Sequence, residues 1–164
     1  MMIFGLSLKR KELFMNVLDV LNKNLVKVPL VHTDKRGVIT ELVEVLAKAK
    51  GYSTQQFEQV LSAVLDRERL GSTAIGNGIA IPHAKSDIVE QVSLVVGISR
   101  FPVDFDAPDD QKSRIFFLVV AASTAASAHV ELLASIARSC TSQVFRRMLE
   151  QAKNSEEVVR LFME

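Results

Sequence analysis

The sequence predicts an α/β domain, a mixed central β-sheet sandwiched by α-helices, and three observations predict it. Two runs, Ser93 to Ser99 and Arg114 to Val120, are rich in Val, Ile, Leu and Phe with little polar alternation, as strands covered on both faces are. Apolar residues recur at three- and four-residue spacing on both sides of those runs, before Gly71 and after Ala121, which supplies the covering helices. A chain of 164 residues with 48% apolar content is long enough for one domain with a real core and too short for two comfortable ones.

The elements follow in chain order. Residues 1–14 read as an N-terminal extension ahead of a domain over residues 15–164. The extension runs from a short apolar start to Leu8-Lys9-Arg10-Lys11, which inverts the order of a secretory signal; no small-residue cleavage site accompanies it, and no export is implied. It carries no clear core pattern, so its removal is expected to cost little.

From Val38 to Ala49 the residues Val38, Ile39, Leu42, Val43, Leu46 and Ala49 make one face of an amphipathic helix, with Thr33 or Asp34 as N-cap and Gly51 as terminator. A second helix opens at Ser53, whose hydroxyl forms a capping box with Gln56, and carries Phe57, Val60, Leu61, Val64 and Leu65 on one face. It ends in Asp66-Arg67-Glu68-Arg69 before Gly71.

Gly71 to Gly78 holds three glycines with Ser72, Thr73 and Asn77 and reads as a donor-rich loop. Ile79-Ala80-Ile81 is a short strand stopped by Pro82, which has no N–H to give a ladder and keeps Ile81 extended. His83 therefore falls at a strand end. Phe101 to Lys112, with Pro102, Pro108 and four aspartates, reads as a connection full of turn formers. Beyond Ala121, Ser127 is the expected cap of a helix carrying Leu132, Leu133, Ile136 and Ala137, followed by helical patterns at Val144 to Leu149 and Ser155 to Phe162.

Composition removes several classes of function. Twenty Lys and Arg against 19 acids leave a net charge of +1, which offers no bulk attraction to nucleic acid or to an anionic membrane. The single cysteine, Cys140, excludes an internal disulfide framework; it reads as a small core residue, and a lone thiol fits a reducing cytoplasm. The longest apolar run, Ile115 to Ala122, falls far short of the roughly 20 residues a membrane helix needs. A cytoplasmic protein without membrane insertion is expected.

The informative segment is Arg67 to Lys85, where an imidazole follows a loop rich in glycine and hydroxyl groups, with two arginines upstream. Those are parts for handling a phosphoryl group. A neutral imidazole is a nucleophile near pH 7 without special activation, because its ordinary pKa is about 6.5. Glycine backbone N–H groups can approach phosphate oxygens closely, and an arginine can neutralise charge that builds during transfer. Zinc ranks below this reading, since there is neither a His-Glu-x-x-His helix nor a cysteine pair. Nucleotide binding does as well: the loop lacks the Gly-Lys-Ser/Thr ending of a phosphate-binding loop and follows a helix instead of a strand. The phosphate is expected to arrive on a protein, and no metal cofactor is required.

The run Leu70-Gly71-Ser72-Thr73 and then Gly78-Ile79-Ala80-Ile81-Pro82-His83 resembles the phosphorylation-site signature of enzyme IIA proteins of the bacterial phosphotransferase system, mannitol/fructose class. Pro102-Val103-Asp104-Phe105-Asp106-Ala107 and His129-Val130-Glu131-Leu132-Leu133 are similar to two further stretches of that family, so that the likeness covers most of the chain from Met15 onward as one IIA domain. Met15-Asn16-Val17-Leu18-Asp19-Val20-Leu21 and the segment from Arg67 to His83 look like its nitrogen-regulatory branch. Ala74 and Ala84 stand where the family usually has glycine; both are small replacements.

The resemblance implies that His83 accepts a phosphoryl group from the phosphohistidine of an HPr-like carrier, itself charged from phosphoenolpyruvate through enzyme I. It implies that His129 lies against His83 and that Arg67 helps to hold the phosphate, with Arg69 a candidate for the same role. Ser72 and Thr73 are candidates for direct phosphate contact beside their ordinary use as turn formers or caps. His32 reads as structural or exposed. Downstream, the implied alternatives are a phosphorylation-dependent regulator of target proteins, or a IIA of a fructose or mannitol uptake system that passes phosphate to a IIB domain; a IIA-like binding module that is never phosphorylated ranks below both.

Overall fold

The structure, a computed structural model, describes residues 15–164; the expected extension over residues 1–14 lies outside the described residues. A short helix α1 (Val17–Val20) and a 3-10 turn (Lys23–Leu25) lead into strand β1 (Val26–Leu30). Helices α2 (Lys35–Lys50) and α3 (Thr54–Leu70) follow, then the short strands β2 (Ala74–Gly76), β3 (Ile79–Ala80) and β4 (His83–Lys85). The long strands β5 (Ser93–Val103) and β6 (Ser113–Ala121) precede helices α4 (Ala126–Ser139), α5 (Gln143–Gln151) and α6 (Ser155–Met163).

All six strands form one mixed sheet in the order β1-β5-β6-β3-β2, with β4 also on β6. β5 and β6 are antiparallel, whereas β1 on β5 and both β3 and β4 on β6 are parallel. Period-two side chains divide β6 between two cores. Phe116, Leu118 and Val120 pack with α2 and α3, while Ile115, Phe117, Val119 and Ala121 pack with Leu132 and Ile136 of α4, Leu149 of α5 and Val158 of α6. With apolar partners on each face, neither set alternates with polar residues, which is why these strands read as continuous apolar runs.

Of the expected caps, Asp34 stands at the N-cap position of α2 but makes no side-chain cap bond, whereas the other two are present. Gly51 closes α2 in the left-handed region at φ 69°, and Ser53 and Gln56 form the reciprocal capping box of α3. On α2 the buried face takes Ala47 and the carboxylate-bearing Glu41, and Ala49 is exposed instead of buried.

Three further expectations need correction, and one strand was not expected. Gly71 to Gly78 is not one loop: β2 and β3 make a hairpin whose two-residue turn, Asn77-Gly78, has positive φ at both positions, 58° and 78°. Ser127 is not the cap of α4; the helix starts earlier, with Ala125 at the cap position and no side-chain cap bond, because the chain turns straight off β6 through an Ala125 N–H to Ala122 carbonyl bond of 3.0 Å. β5 continues through Phe101 and Pro102 to Val103, which pairs with Ser113, so the connection is shorter than expected. The edge strand β1 has no counterpart in the sequence reading.

Candidate functional site

His83 opens β4 because Pro82 separates β3 from β4 while both segments stay paired to β6, and its register partner is Val119. Residues aligned in a parallel pair share a face, so His83 lies on the face that carries α4. His129 reaches the same place from the N-terminal part of α4, 46 residues downstream in the sequence. The two rings meet edge to face, with centroids 5.3 Å apart and planes at 68°.

The Nδ1 of His83 lies 2.8 Å from the carbonyl oxygen of Ile81. A carbonyl oxygen only accepts, so Nδ1 carries the hydrogen and donates it, and in the neutral ring Nε2 is left with the lone pair. Burial holds the His83 pKa below the ordinary value; the Ile81 bond and the Glu68 carboxylate oppose that, and the Arg67 charge adds to it. His129 is buried, and its Nε2 has no hydrogen-bond partner among the described residues. Burial first, then the neighbouring His83 and Lys85, lower its pKa to about 4. Both shifts favour the neutral ring.

The two arginines separate clearly. Arg67, half-buried, donates to the Gly71 carbonyl at 3.0 Å and is the arginine whose charge bears on His83. Arg69 is exposed, pairs with Asp66, and lines a groove with Lys35, Glu68 and Asp106. Ser72 donates through Oγ to the Phe105 carbonyl and accepts from the Ala74 N–H at 3.1 Å. Thr73 is buried and gives both its backbone N–H and its hydroxyl to the carboxylate of Glu68. Each hydroxyl is thus engaged within the fold.

His32 stands apart from this site, with Nδ1 2.8 Å from the buried carboxylate of Glu41. Cys140 is a core thiol whose pKa burial pushes up to about 12. Among the described residues no group of three or more His, Cys, Asp or Glu side chains is arranged to hold a metal ion, and no helix is long and apolar enough to cross a membrane.

Two neighbours of the histidines went unread in the sequence. Lys85 follows His83 by two residues, the strand period, and so shares its face. Glu68 sits in the Arg67-Glu68-Arg69 cluster that reads as a solvated helix end, and only its burial distinguishes it.

An α/β sandwich whose His83 and His129 rings meet at the start of β4 agrees with the resemblance to phosphotransferase-system IIA proteins. The model of the family described as the phosphoenolpyruvate-dependent sugar phosphotransferase system, EIIA 2, matches residues 19–164, and the chain belongs to that family. It is 32% identical over 148 residues to the nitrogen regulatory protein of Klebsiella oxytoca, covering 89% of each chain. It is also 32% identical over 145 residues to the fructose-specific EIIABC component of Bacillus subtilis, where the match takes 88% of this chain but only 22% of that protein. Among solved structures, the nitrogen regulatory protein IIA-Ntr of Neisseria meningitidis superposes with a TM-score of 0.80 at 27% identity, over 88% of this chain and 97% of that one.

Proposed function

We propose that this IIA domain is a phosphocarrier in which Nε2 of His83 accepts a phosphoryl group from an HPr-like phosphohistidine carrier, and that its phosphorylation state regulates target proteins. The observation that carries the reading is the Nδ1–H to Ile81 carbonyl bond, which leaves Nε2 as the nucleophilic nitrogen. In the transfer, the Nε2 lone pair forms the new P–N bond while the donor's P–N bond breaks and its electron pair returns to the donor imidazole. The His83 ring gains positive charge as this happens, and the Ile81 carbonyl stays on its Nδ1–H to stabilise it. Two imidazoles of similar basicity exchange the group, so the step is close to thermoneutral, and positioning with charge neutralisation supplies the catalysis.

Arg67 supplies the neutralising charge in this reading, and His129 offers its unpartnered Nε2 to a phosphoryl oxygen. Helix α4 opens without a side-chain cap, and that end of a helix favours an anion nearby. Ser72 and Thr73 act on phosphate through the hairpin they brace. A phosphoryl group adds about −1.5 to −2 charge to this surface, enough to switch a partner's binding.

Incubation with phosphoenolpyruvate, enzyme I and an HPr-type carrier should add one acid-labile, alkali-stable phosphoryl group, absent in His83→Ala; label retained in that variant would sink the assignment. Likeness to the fructose-specific EIIABC component supports a second reading, in which the group passes to a IIB domain. Transfer from the phosphorylated protein to a purified IIB domain, compared with capture of regulatory targets by the phosphorylated and free forms, separates the two.

A further inference from the structure

Glu68 keeps its carboxylate almost out of water, at 7% exposure, a placement that is costly unless donors answer both oxygens. They do. Oε1 accepts from the Thr73 backbone N–H at 3.1 Å and from Lys35 Nζ at 2.9 Å, and Oε2 accepts from the Thr73 hydroxyl at 2.5 Å. Lys35 is held in turn by Asp106 at 3.1 Å and lies over the Phe105 ring, 5.2 Å from its centre. Helices α2 and α3, the start of the β2–β3 hairpin and the connection between β5 and β6 thus converge on one carboxylate.

From Thr73 the bonding continues to the nucleophile. The Thr73 carbonyl accepts the Ile81 N–H at 3.0 Å, and the Ile81 carbonyl accepts the His83 Nδ1–H at 2.8 Å. Three hydrogen bonds in series, Glu68 to Thr73, Thr73 to Ile81 and Ile81 to His83, therefore join a buried, lysine-anchored charge to the imidazole.

We infer that Glu68 is a positioning residue for His83: by fixing Thr73 and, through it, Ile81, it sets the tautomer and the orientation of the ring that reacts. The bonds enter Thr73 and Ile81 at the N–H of one peptide group and leave at the C=O of the next, so what the series transmits is position. The kinetic consequences rest on His83 being the phosphoryl acceptor; the ring geometry does not. The charged and titratable groups around His83 are Arg67 and Glu68 from α3, His129 from α4 and Lys85 from its own strand, and Glu68 is the anion that favours the protonated ring.

The test compares Glu68→Ala, Glu68→Gln and Thr73→Val with the wild type by ¹⁵N spectroscopy of the His83 ring and by phosphorylation kinetics. Glu68→Ala should move the ring nitrogens from the Nδ1–H pattern toward a tautomer average and lower kcat roughly 10- to 100-fold with little change in KM. Glu68→Gln keeps an acceptor for the Thr73 N–H, so its rate should fall less, while its lost charge lowers the His83 titration midpoint. Thr73→Val keeps the backbone bond to Oε1 but removes the hydroxyl that answers Oε2, so its rate and ring signals should fall between those of the wild type and Glu68→Ala. A folded Glu68→Ala protein with wild-type ring signals and wild-type kcat would reduce Glu68 to a structural peg and overturn the inference. Should that variant fail to fold, Glu68→Gln decides: an unchanged His83 midpoint together with an unchanged rate overturns it. If the wild type itself takes no phosphoryl group, the proposed function fails, yet the ring comparison, which needs no donor, still decides the role of Glu68.

Discussion

His129 presents its ring edge-on to that of His83, 5.3 Å between centroids, and His83 makes protonation of His129 harder. Burial, with the Arg67 charge adding to it, makes His83 titrate below the ordinary histidine value of 6.5. A nucleophilic Nε2 needs the neutral ring. The phosphorylation rate is therefore expected to hold as pH falls through 6.5 and to decline only below it, with the donor carrier's own titration measured in parallel. A decline centred at or above 6.5 that follows the His83 NMR titration would contradict this picture of the site.

The same burial has a cost in stability. His129 has a folded pKa of about 4 against 6.5 for the ordinary residue, so between those values the unfolded chain binds the extra proton. Stability should then rise with pH across that window, be complete above 6.5, and be lost as pH falls toward 4. One proton corresponds to at most about 1.4 kcal/mol per pH unit. Urea unfolding of the wild type and His129→Gln across pH 4 to 7 checks it: the variant should show a shallower dependence, and parallel curves would mean that His129 is not held neutral.

Arg67 and Arg69 are two residues apart on the same helix end, yet only Arg67 bears on His83, while Arg69 is paired with Asp66 in solvent. Arg67→Ala should slow phosphorylation by on the order of 100-fold, as loss of one charge-stabilising group does. Arg67→Lys should recover part of the rate, keeping the charge without the planar fork. Arg69→Ala should be close to silent, because an exposed ion pair contributes little. The reverse ranking in single-turnover assays would reassign the role to Arg69.

The parts of the fold that the sequence made legible are those whose partners are near in the chain. Periodicity marks α2 and α3, and the capping box of Ser53 and Gln56 fixes where α3 begins. β5 and β6 show as apolar runs because both faces are covered. β1 is missed because Lys27 and Pro29 interrupt its five residues; proline is tolerated there since the strand is an edge, with a register shift between Lys27 and Leu30. The β2–β3 hairpin carried a readable signal in Asn77-Gly78, but strands of three and two residues are too short for alternation to show.

The site divides in the same way. His83 is legible from its glycine-rich surroundings and from Pro82, all within a few residues. Its approach to His129 depends on β6 turning directly into α4, which no local pattern encodes, and only family resemblance pointed there. Glu68 is hidden for a further reason: a carboxylate between two arginines at a helix end looks solvated, and its burial comes from Lys35 and Thr73, one of them 33 residues away.

Gly97 tests how tightly the sheet and α2 must meet. It lies in β5 between Lys27 of β1 and Phe116 of β6, and a Cβ there would come within 2.7 Å of Leu42 Cδ2 and 2.9 Å of Leu30 Cδ1. Both leucines are buried in the core, so neither has free space to turn into. Replacing glycine by alanine in a strand would ordinarily stabilise by about 0.4 to 1 kcal/mol through the unfolded chain. Overpacking a filled core costs about 1 to 3 kcal/mol, and it wins here. Gly97→Ala should therefore lower the melting midpoint by roughly 2 to 4 °C for each kcal/mol of net loss. Leu42→Val withdraws the atom that the new methyl meets, so the double variant should be more stable than the sum of the two single changes predicts. Strict additivity, or a single variant that melts above the wild type, would mean that α2 moves off the sheet at little cost and that Gly97 is not what sets their distance.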